Sequence, residues 1–496
     1  MQAALSAAEL GRAAGTPTLA SEAVARGLSW CRDEDWSGAR ELVVSLLTRA
    51  TDLAFLSGEH GRALELVARL EASPASALEK AEAREIALGV YIAERRPDEA
   101  ALLTRRAISE LGHGLPDPAP SFDFDLPAIE ALRALAVCTD PAVIASSRLL
   151  QRAFSVFYTT DPTLRRVFGQ HLVSLAIENG VMPSTPMALA VAAATLNDAG
   201  REDLGHALST VAREVLTRVG DRRSEVPARL ALDLFADVWV PSLFVSIARV
   251  KDDVLAGRRQ LDLEYAARAA SGYLRLGVYA GLPLAQLVGA QREWSEWLDP
   301  LQALPGHGLL RLNLHLVRAF AGETPALPSP AEDDPRSNLG AVEALTRGML
   351  EAHFGEPSAA LDALDLARSV QPYLSSHWHL VLLRQFHALA AAHGPRGPEI
   401  LGEALSALQH WASLSPENFA HRLALIEAEL ARREGAGPEA YTRAAELAAR
   451  GGWLHDLGLV HERAGRREAA IEAYERWGAR AKVERLSAGA RLWMAR

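Results

Sequence analysis

Lysine is almost missing from this chain: Lys80, Lys251 and Lys482 are the only ones in 496 residues, and none follows a glycine. The glycine-rich loop ending in Gly-Lys-Ser/Thr that cradles nucleotide phosphates is therefore absent. The Gly-x-Ser-x-Gly turn, the His-Glu-x-x-His pair, the dinucleotide glycine fingerprint and the kinase loops are absent too, so no enzyme class is indicated. Cysteine is equally scarce. Cys31 and Cys138 are too far apart for a metal-ligand spacing, and so low a count points to a reducing compartment and to buried structural thiols. Long apolar runs are lacking. The most apolar stretches, Met187 to Leu196 and Val238 to Ala248, fall short of the roughly 20 residues that a bilayer-crossing helix needs. The opening Met-Gln-Ala-Ala-Leu-Ser-Ala-Ala-Glu has no basic start, unlike a signal peptide. An excess of positive charge is missing as well: the formal charge is −10, with both signs mixed along the chain. A general nucleic-acid binder would need a net basic face to displace counterions. The expectation is a cytoplasmic protein with neither membrane nor nucleic acid as partner.

Alanine and leucine are what the chain has in quantity. Apolar residues make up 49% and charged residues 23%, the balance of a folded protein, and the two leading apolar residues are the best helix formers. Apolar positions recur three and four apart in Leu42, Val43, Leu46, Leu47, Ala50, Leu53 and Ala54, and again in Val143, Leu150, Phe154 and Phe157. They do so once more in Leu423, Ile426 and Leu430, with Glu427, Glu429, Arg432 and Arg433 between them as the expected solvated face. Short turns punctuate these helices: Ser57-Gly58-Glu59-His60-Gly61-Arg62-Ala63, Ala199-Gly200-Arg201-Glu202, His353-Phe354-Gly355-Glu356-Pro357, Arg433-Glu434-Gly435-Ala436-Gly437 and Arg463-Ala464-Gly465-Arg466-Arg467. Glycine suits the left-handed residue at a helix C-terminus, and a small alanine lets the next helix pack closely. The implied fold is all-α, an α-solenoid of antiparallel helix pairs of the tetratricopeptide kind, whose unit is about 34 residues.

The units are irregular: Ala63 and Ala100 read as equivalent at a spacing of 37, Ala440 and Ala470 at 30. Two proline-rich stretches interrupt the helices. One spans residues 112–127, with Pro116, Pro118, Pro120 and Pro127. The other spans 322–336, with Pro325, Pro328, Pro330 and Pro335 beside Glu332, Asp333 and Asp334. Boundaries placed there divide the chain into residues 1–115, 128–322 and 337–496.

Histidines occur in pairs, but His377 and His379 are two apart and His455 and His461 six apart, so neither pair shares one helix face and no metal site is expected. Surface or capping roles are the expectation for them. Trp294 and Trp297, three apart, do share a face; they pack between repeats or line a groove, since tryptophan is enriched at binding hot spots. Ser415-Pro416-Glu417 reads as a helix start, with Ser415 as N-cap, Pro416 at the first helical position and an acid in the first turn. Asn418 and His421 then lie on one face, either capping and bonding between repeats or making polar contacts inside a binding groove.

The segment Trp411-Ala-Ser-Leu-Ser-Pro-Glu-Asn-Phe-Ala-His-Arg-Leu-Ala-Leu-Ile-Glu-Ala-Glu-Leu-Ala-Arg432 and the segment Tyr474-Glu-Arg-Trp-Gly-Ala-Arg-Ala-Lys-Val-Glu-Arg-Leu486 carry a family resemblance. So do Ile108 to Pro116, Thr139 to Pro141, Ser174 to Gly180 and Leu263 to Ala266, in the same order. Together they resemble the tetratricopeptide-like region of large multidomain signalling proteins, in which a predicted ATPase of the signal-transduction NTPase type precedes the repeats and histidine-kinase modules often follow. The most specific element is Ser-Pro-Glu-Asn-Phe-x-His at residues 415–421. Neither an ATPase nor a kinase motif occurs in this sequence, so the resemblance implies the repeat region without those activities.

The expected function is a non-enzymatic, cofactor-free scaffold or regulatory module that presents a concave groove to a protein or peptide. A separate signalling ATPase or histidine kinase is a candidate partner, and Trp411, Asn418, His421, Trp294 and Trp297 are the candidate contact residues. A small-molecule sensor with a pocket between repeats is the alternative, and an enzyme on a helical scaffold is the third reading.

Overall fold

A computed structural model describes residues 1–13, 17–32, 34–94, 96–115, 124–160, 162–221, 224–260, 262–302, 307–325, 334–374 and 378–489. Among these residues there are 26 α-helices and no strand; the sole extended pairing is an isolated bridge between Val137 and Val181. No helix among them is long and apolar enough to cross a membrane. The all-α fold of stacked helix pairs is thus the one the apolar spacing implies. His377 and the prolines at 116, 118, 120, 328 and 330 lie outside the described residues.

Pairing follows from turn chemistry and small residues. The Arg40–Leu56 helix packs on His60–Glu71, Leu243–Gln260 on Leu263–Ala280, Asn338–Phe354 on Pro357–Ser369, and Leu454–Arg463 on Arg467–Trp477. The fourth residue of the second helix is repeatedly small and fully buried: Ala63, Ala266, Ala360 and Ala470 are each 0% exposed. Ala100 occupies the same position in Pro97–Glu110, and Gly205 does so in Glu202–Val219. A side chain no larger than a methyl brings the two axes close. Ala440 departs from this pattern, because a 3₁₀ turn at Pro438–Tyr441 precedes the helix and Ala444 becomes the packed residue instead. The turns likewise differ in detail. Gly465 is left-handed at φ 76°, as expected of a helix-ending glycine, whereas Gly355 is extended at φ −107° and ψ −141°.

Two compact units result, rather than three regions split at the proline-rich stretches: residues 1–123 with 134–188, and residues 124–133 with 189–496. The second proline-rich stretch is no boundary because the helices on either side share one core. Gly308–Ala321 packs against both Asn338–Phe354 and Arg480–Ser487, and a single apolar cluster runs from Val226 to Leu486.

In the first unit, ordinary local devices hold the helices. Ser76 and Glu79 form a capping box at the start of Ala77–Ala93. Arg84, 1% exposed, donates to Glu71 at 2.9 Å and to Glu110 at 2.6 Å and so ties three helices together. Cys138 is buried, but Cys31 is only half-buried, with its Sγ 3.4 Å from Met1 Sδ.

Within the second unit, the later helices return onto the earlier ones. Residues 129 to 209 apart in sequence are joined by hydrogen bonds, from His410 and Trp411 on Glu202 to Lys482 on His353. The seam between the two sets of helices is where the candidate residues lie.

Candidate functional site

The helix Pro416–Arg433 starts at the residue the sequence implies, with Pro416 at its first position. Ser415, however, makes no side-chain cap; its Oγ is buried without a hydrogen-bond partner, while its carbonyl receives the Phe419 amide at 3.2 Å. The rest of the 415–421 motif faces the seam. Asn418, 0% exposed, accepts from the Leu243 amide at 2.9 Å and donates to the Pro241 carbonyl at 2.7 Å. Phe419 stacks on Trp378, with ring centroids 5.4 Å apart. Glu417 offers its main-chain carbonyl to Trp453 Nε1 at 3.2 Å. His421, also buried, lies 2.8 Å from Asp456 and stacks on Trp453 at 4.6 Å.

Asp456 is the centre of a closed polar node. Arg422 approaches it at 2.9 Å, with both side chains at or below 1% exposure. Gln385 donates to it at 2.9 Å and also receives a hydrogen bond from Arg422. The remaining reach of Arg422 goes to the Tyr279 carbonyl at 3.1 Å, and its guanidinium lies over the rings of Trp378 and Trp453. Burial by itself would raise the Asp456 carboxyl, but Arg422 and the neighbouring histidines hold it far below the usual range. His455 is pushed down to about 4, chiefly by burial. It is an interior residue, not the surface or capping histidine its sequence position suggests. Gly281 makes room for it: at φ 71° this residue is left-handed, and a Cβ there would stand 2.5 Å from His455 Nδ1.

Two further buried pairs flank this node. Glu429 belongs to neither the solvated face nor the surface, as its spacing implied; it is 0% exposed and receives Arg463 through two hydrogen bonds at 2.7 and 2.6 Å and Tyr441 at 3.0 Å. Against the cost of burial, Arg463 and its other donors lower its carboxyl to about 2. Glu462 pairs with Lys482 at 2.9 Å and accepts from Tyr474 at 3.0 Å.

A different cluster lies around a π-helical turn at Leu232–Ala236, a local geometry often found where function resides. Arg213 donates to Asp233 at 2.6 Å and, through Nε, to Asp237 at 2.8 Å; Arg249 reaches Asp237 at 3.2 Å. Asp237 also accepts from Ser209. Asp253, 0% exposed, has Arg229 Nη2 at 2.7 Å, an ion contact without hydrogen-bond alignment. Burial raises Asp233 to about 6 and Asp253 to about 7. Asp237 falls to about 2 because His206, Arg213 and Ser209 outweigh its burial.

The candidate tryptophans pack against the core. Trp411 is 8% exposed and donates to Glu202 at 2.9 Å; Trp294 is 1% exposed and meets Tyr273 edge-on at 5.5 Å. Trp297 is half-buried against the same core. The structure brings Trp411, Asn418 and His421 together on one seam and buries Trp294, while Trp297 stays partly exposed. Asp456, Arg422, Glu202 and the 233–253 carboxylates went unseen in the sequence, because their partners lie on other helices. Only Asn418 and His421, three apart beside a helix start, gave a local signal. No group of three or more histidine, cysteine or acidic side chains among the described residues is arranged to hold a metal ion.

No protein-family model matches the chain, and comparison with curated proteins finds no match either.

Proposed function

We propose that this chain is a non-enzymatic regulatory scaffold of the tetratricopeptide-like kind, acting in cytoplasmic signal transduction by binding a protein or peptide partner. The supporting observation is the way its charge is used. Within the 189–496 unit three fully buried acid–base pairs, Arg422–Asp456, Arg463–Glu429 and Lys482–Glu462, tie helices together, which suits a scaffold that must hold its shape while its outer faces do the binding. The signalling context comes from the resemblance carried by residues 411–432 and 474–486. A sensor holding a small molecule beside Trp294, Trp297 or Trp411 is the lesser reading, because Trp294 and Trp411 already pack against neighbouring aromatic rings.

The test is affinity capture of the tagged full chain from its native lysate, with co-purifying polypeptides identified by mass spectrometry. A signalling ATPase or histidine kinase recovered in fixed ratio is the expected result. Recovery of the folded chain alone would sink the scaffold reading.

A further inference from the structure

The helix His379–Ala391 is almost wholly interior: Leu380, Arg384 and Ala390 are its only residues that are not buried. Arg384 is therefore the one charged group by which this helix reaches solvent. It donates to Glu403, on Gly397–Leu414, at 2.9 Å. The same carboxylate oxygen, Oε2, lies 2.6 Å from Arg368 on Pro357–Ser369. Three helices thus bring two guanidiniums onto one oxygen of one acid.

The balance of charge is the reverse of that at Arg84 and Arg213. Arg84 has both Glu71 and Glu110, and Arg213 has both Asp233 and Asp237. At Glu403 one acid faces two cations, which leaves one positive charge uncompensated. The neighbouring acid does not make up the deficit, because Asp365 is engaged by Arg396 at 2.7 Å and by His387 at 2.9 Å. Burial, and after it the charge of Arg368, push the Arg384 guanidinium below its ordinary value, as befits a cation with too little counter-charge. Nothing else among the described residues bonds either guanidinium. Arg368 keeps 32% of its side chain exposed and Arg384 23%, and no nitrogen of either is sealed from solvent without a partner. Each guanidinium carries five N–H donors in a planar fork, so donors remain for a planar oxyanion.

We propose that Arg368 and Arg384 form a docking site for a carboxylate side chain in an acidic segment of a protein partner. This rests on reading the chain as a protein-binding scaffold and gives that scaffold a place and a ligand chemistry. One missing negative charge matches one carboxylate, whereas a phosphoryl group brings nearly two. Glu403 positions the two arginines and also competes with the ligand for their donors. Glu403→Gln keeps an acceptor oxygen in place while removing that competing charge.

The test is binding of fluorescein-labelled hexaglutamate to the full chain, followed by fluorescence anisotropy at low ionic strength, with hexaglutamine as the neutral control. Arg384→Gln and Arg368→Gln should each weaken binding about tenfold or more. Glu403→Gln should strengthen it about tenfold, a gain that a purely structural ion pair would not give. Should Arg384→Gln fail to fold, the more exposed Arg368→Gln and Glu403→Gln carry the test. Equal binding by wild type and the arginine variants, unchanged or weaker binding by Glu403→Gln, equal binding of hexaglutamine, or no binding to wild type and Glu403→Gln alike would each overturn the proposal. Displacement of the peptide by inorganic phosphate at concentrations where acetate has no effect would make the ligand a phosphoryl group and overturn it likewise. A partner captured equally well by wild type and Arg368→Gln would leave the scaffold reading standing while this site fell.

Discussion

Two clusters in the 189–496 unit are built from the same ingredients, buried aspartates facing arginines, yet they behave in opposite ways. At Asp456 the arginine is as buried as the acid, and the carboxylate has an amide and a histidine beside it as well. At Asp233, Asp237 and Asp253 the acids are buried, but Arg213, Arg229 and Arg249 keep 28 to 39% of their side chains exposed. Solvent screens a half-exposed cation, so it compensates less of the cost of stripping water from the acid. Asp237 escapes because it collects several donors at once, leaving Asp233, which shares Arg213, to rise. Partner exposure and donor number, more than the mere presence of an ion pair, decide whether a buried carboxylate is held charged.

The contrast is sharpest when one cluster is broken. Arg422→Met leaves Asp456 charged and buried without its cation, and should cost about 3–5 kcal/mol of unfolding free energy, read from urea denaturation. A loss below about 1 kcal/mol would mean that Gln385 and the histidines suffice by themselves.

The second cluster should answer in the other direction. Asp253 sits at about 7 in the folded chain against an ordinary 3.8, so the folded state holds the extra proton between roughly pH 4 and 7, and its contribution to stability falls as pH rises through that window. Asp253→Asn should therefore be more stable than wild type at pH 8. The advantage should shrink toward pH 4 with a slope of up to about 1.4 kcal/mol per pH unit. Thermal melts across that range check it, and destabilisation at pH 8 would show that the Arg229 contact outweighs desolvation.

The smallest effect concerns His455, whose folded value of about 4 lies below the ordinary 6.5. The unfolded chain binds the proton first, so stability from this residue is present above 6.5 and lost as pH falls toward 4, the reverse of Asp253. His455→Gln should lessen the acid loss by about 2 kcal/mol at pH 5 while changing little at pH 8. A variant whose melting follows the wild-type pH profile would remove His455 from the acid response.

Much of the fold was legible because helix pairing is local. The recurrence of Leu46, Leu53 and Ala54, the small residue at Ala63 or Ala470, and the turn at Gly465 are all readable within one unit, where periodicity and turn chemistry act. The seam was not. Glu429 looked like part of a solvated face because its neighbours Glu427, Arg432 and Arg433 do; Arg463, 34 residues on, and Tyr441 together make its burial tolerable. Asn418 and His421 were singled out as candidate contacts, and what they touch is the chain itself, at Pro241, Leu243 and Asp456.

Composition and spacing by themselves determined that this chain forms stacked helix pairs, since helix propensity and a three-to-four residue apolar repeat act over a few turns. Tertiary structure alone decided that the later helices close onto the earlier ones, and which charges that closure buries. Such contacts join residues 129 to 209 apart, and a charge's partner over that distance is set by the path of the backbone through space. That path is not written in any short stretch of sequence.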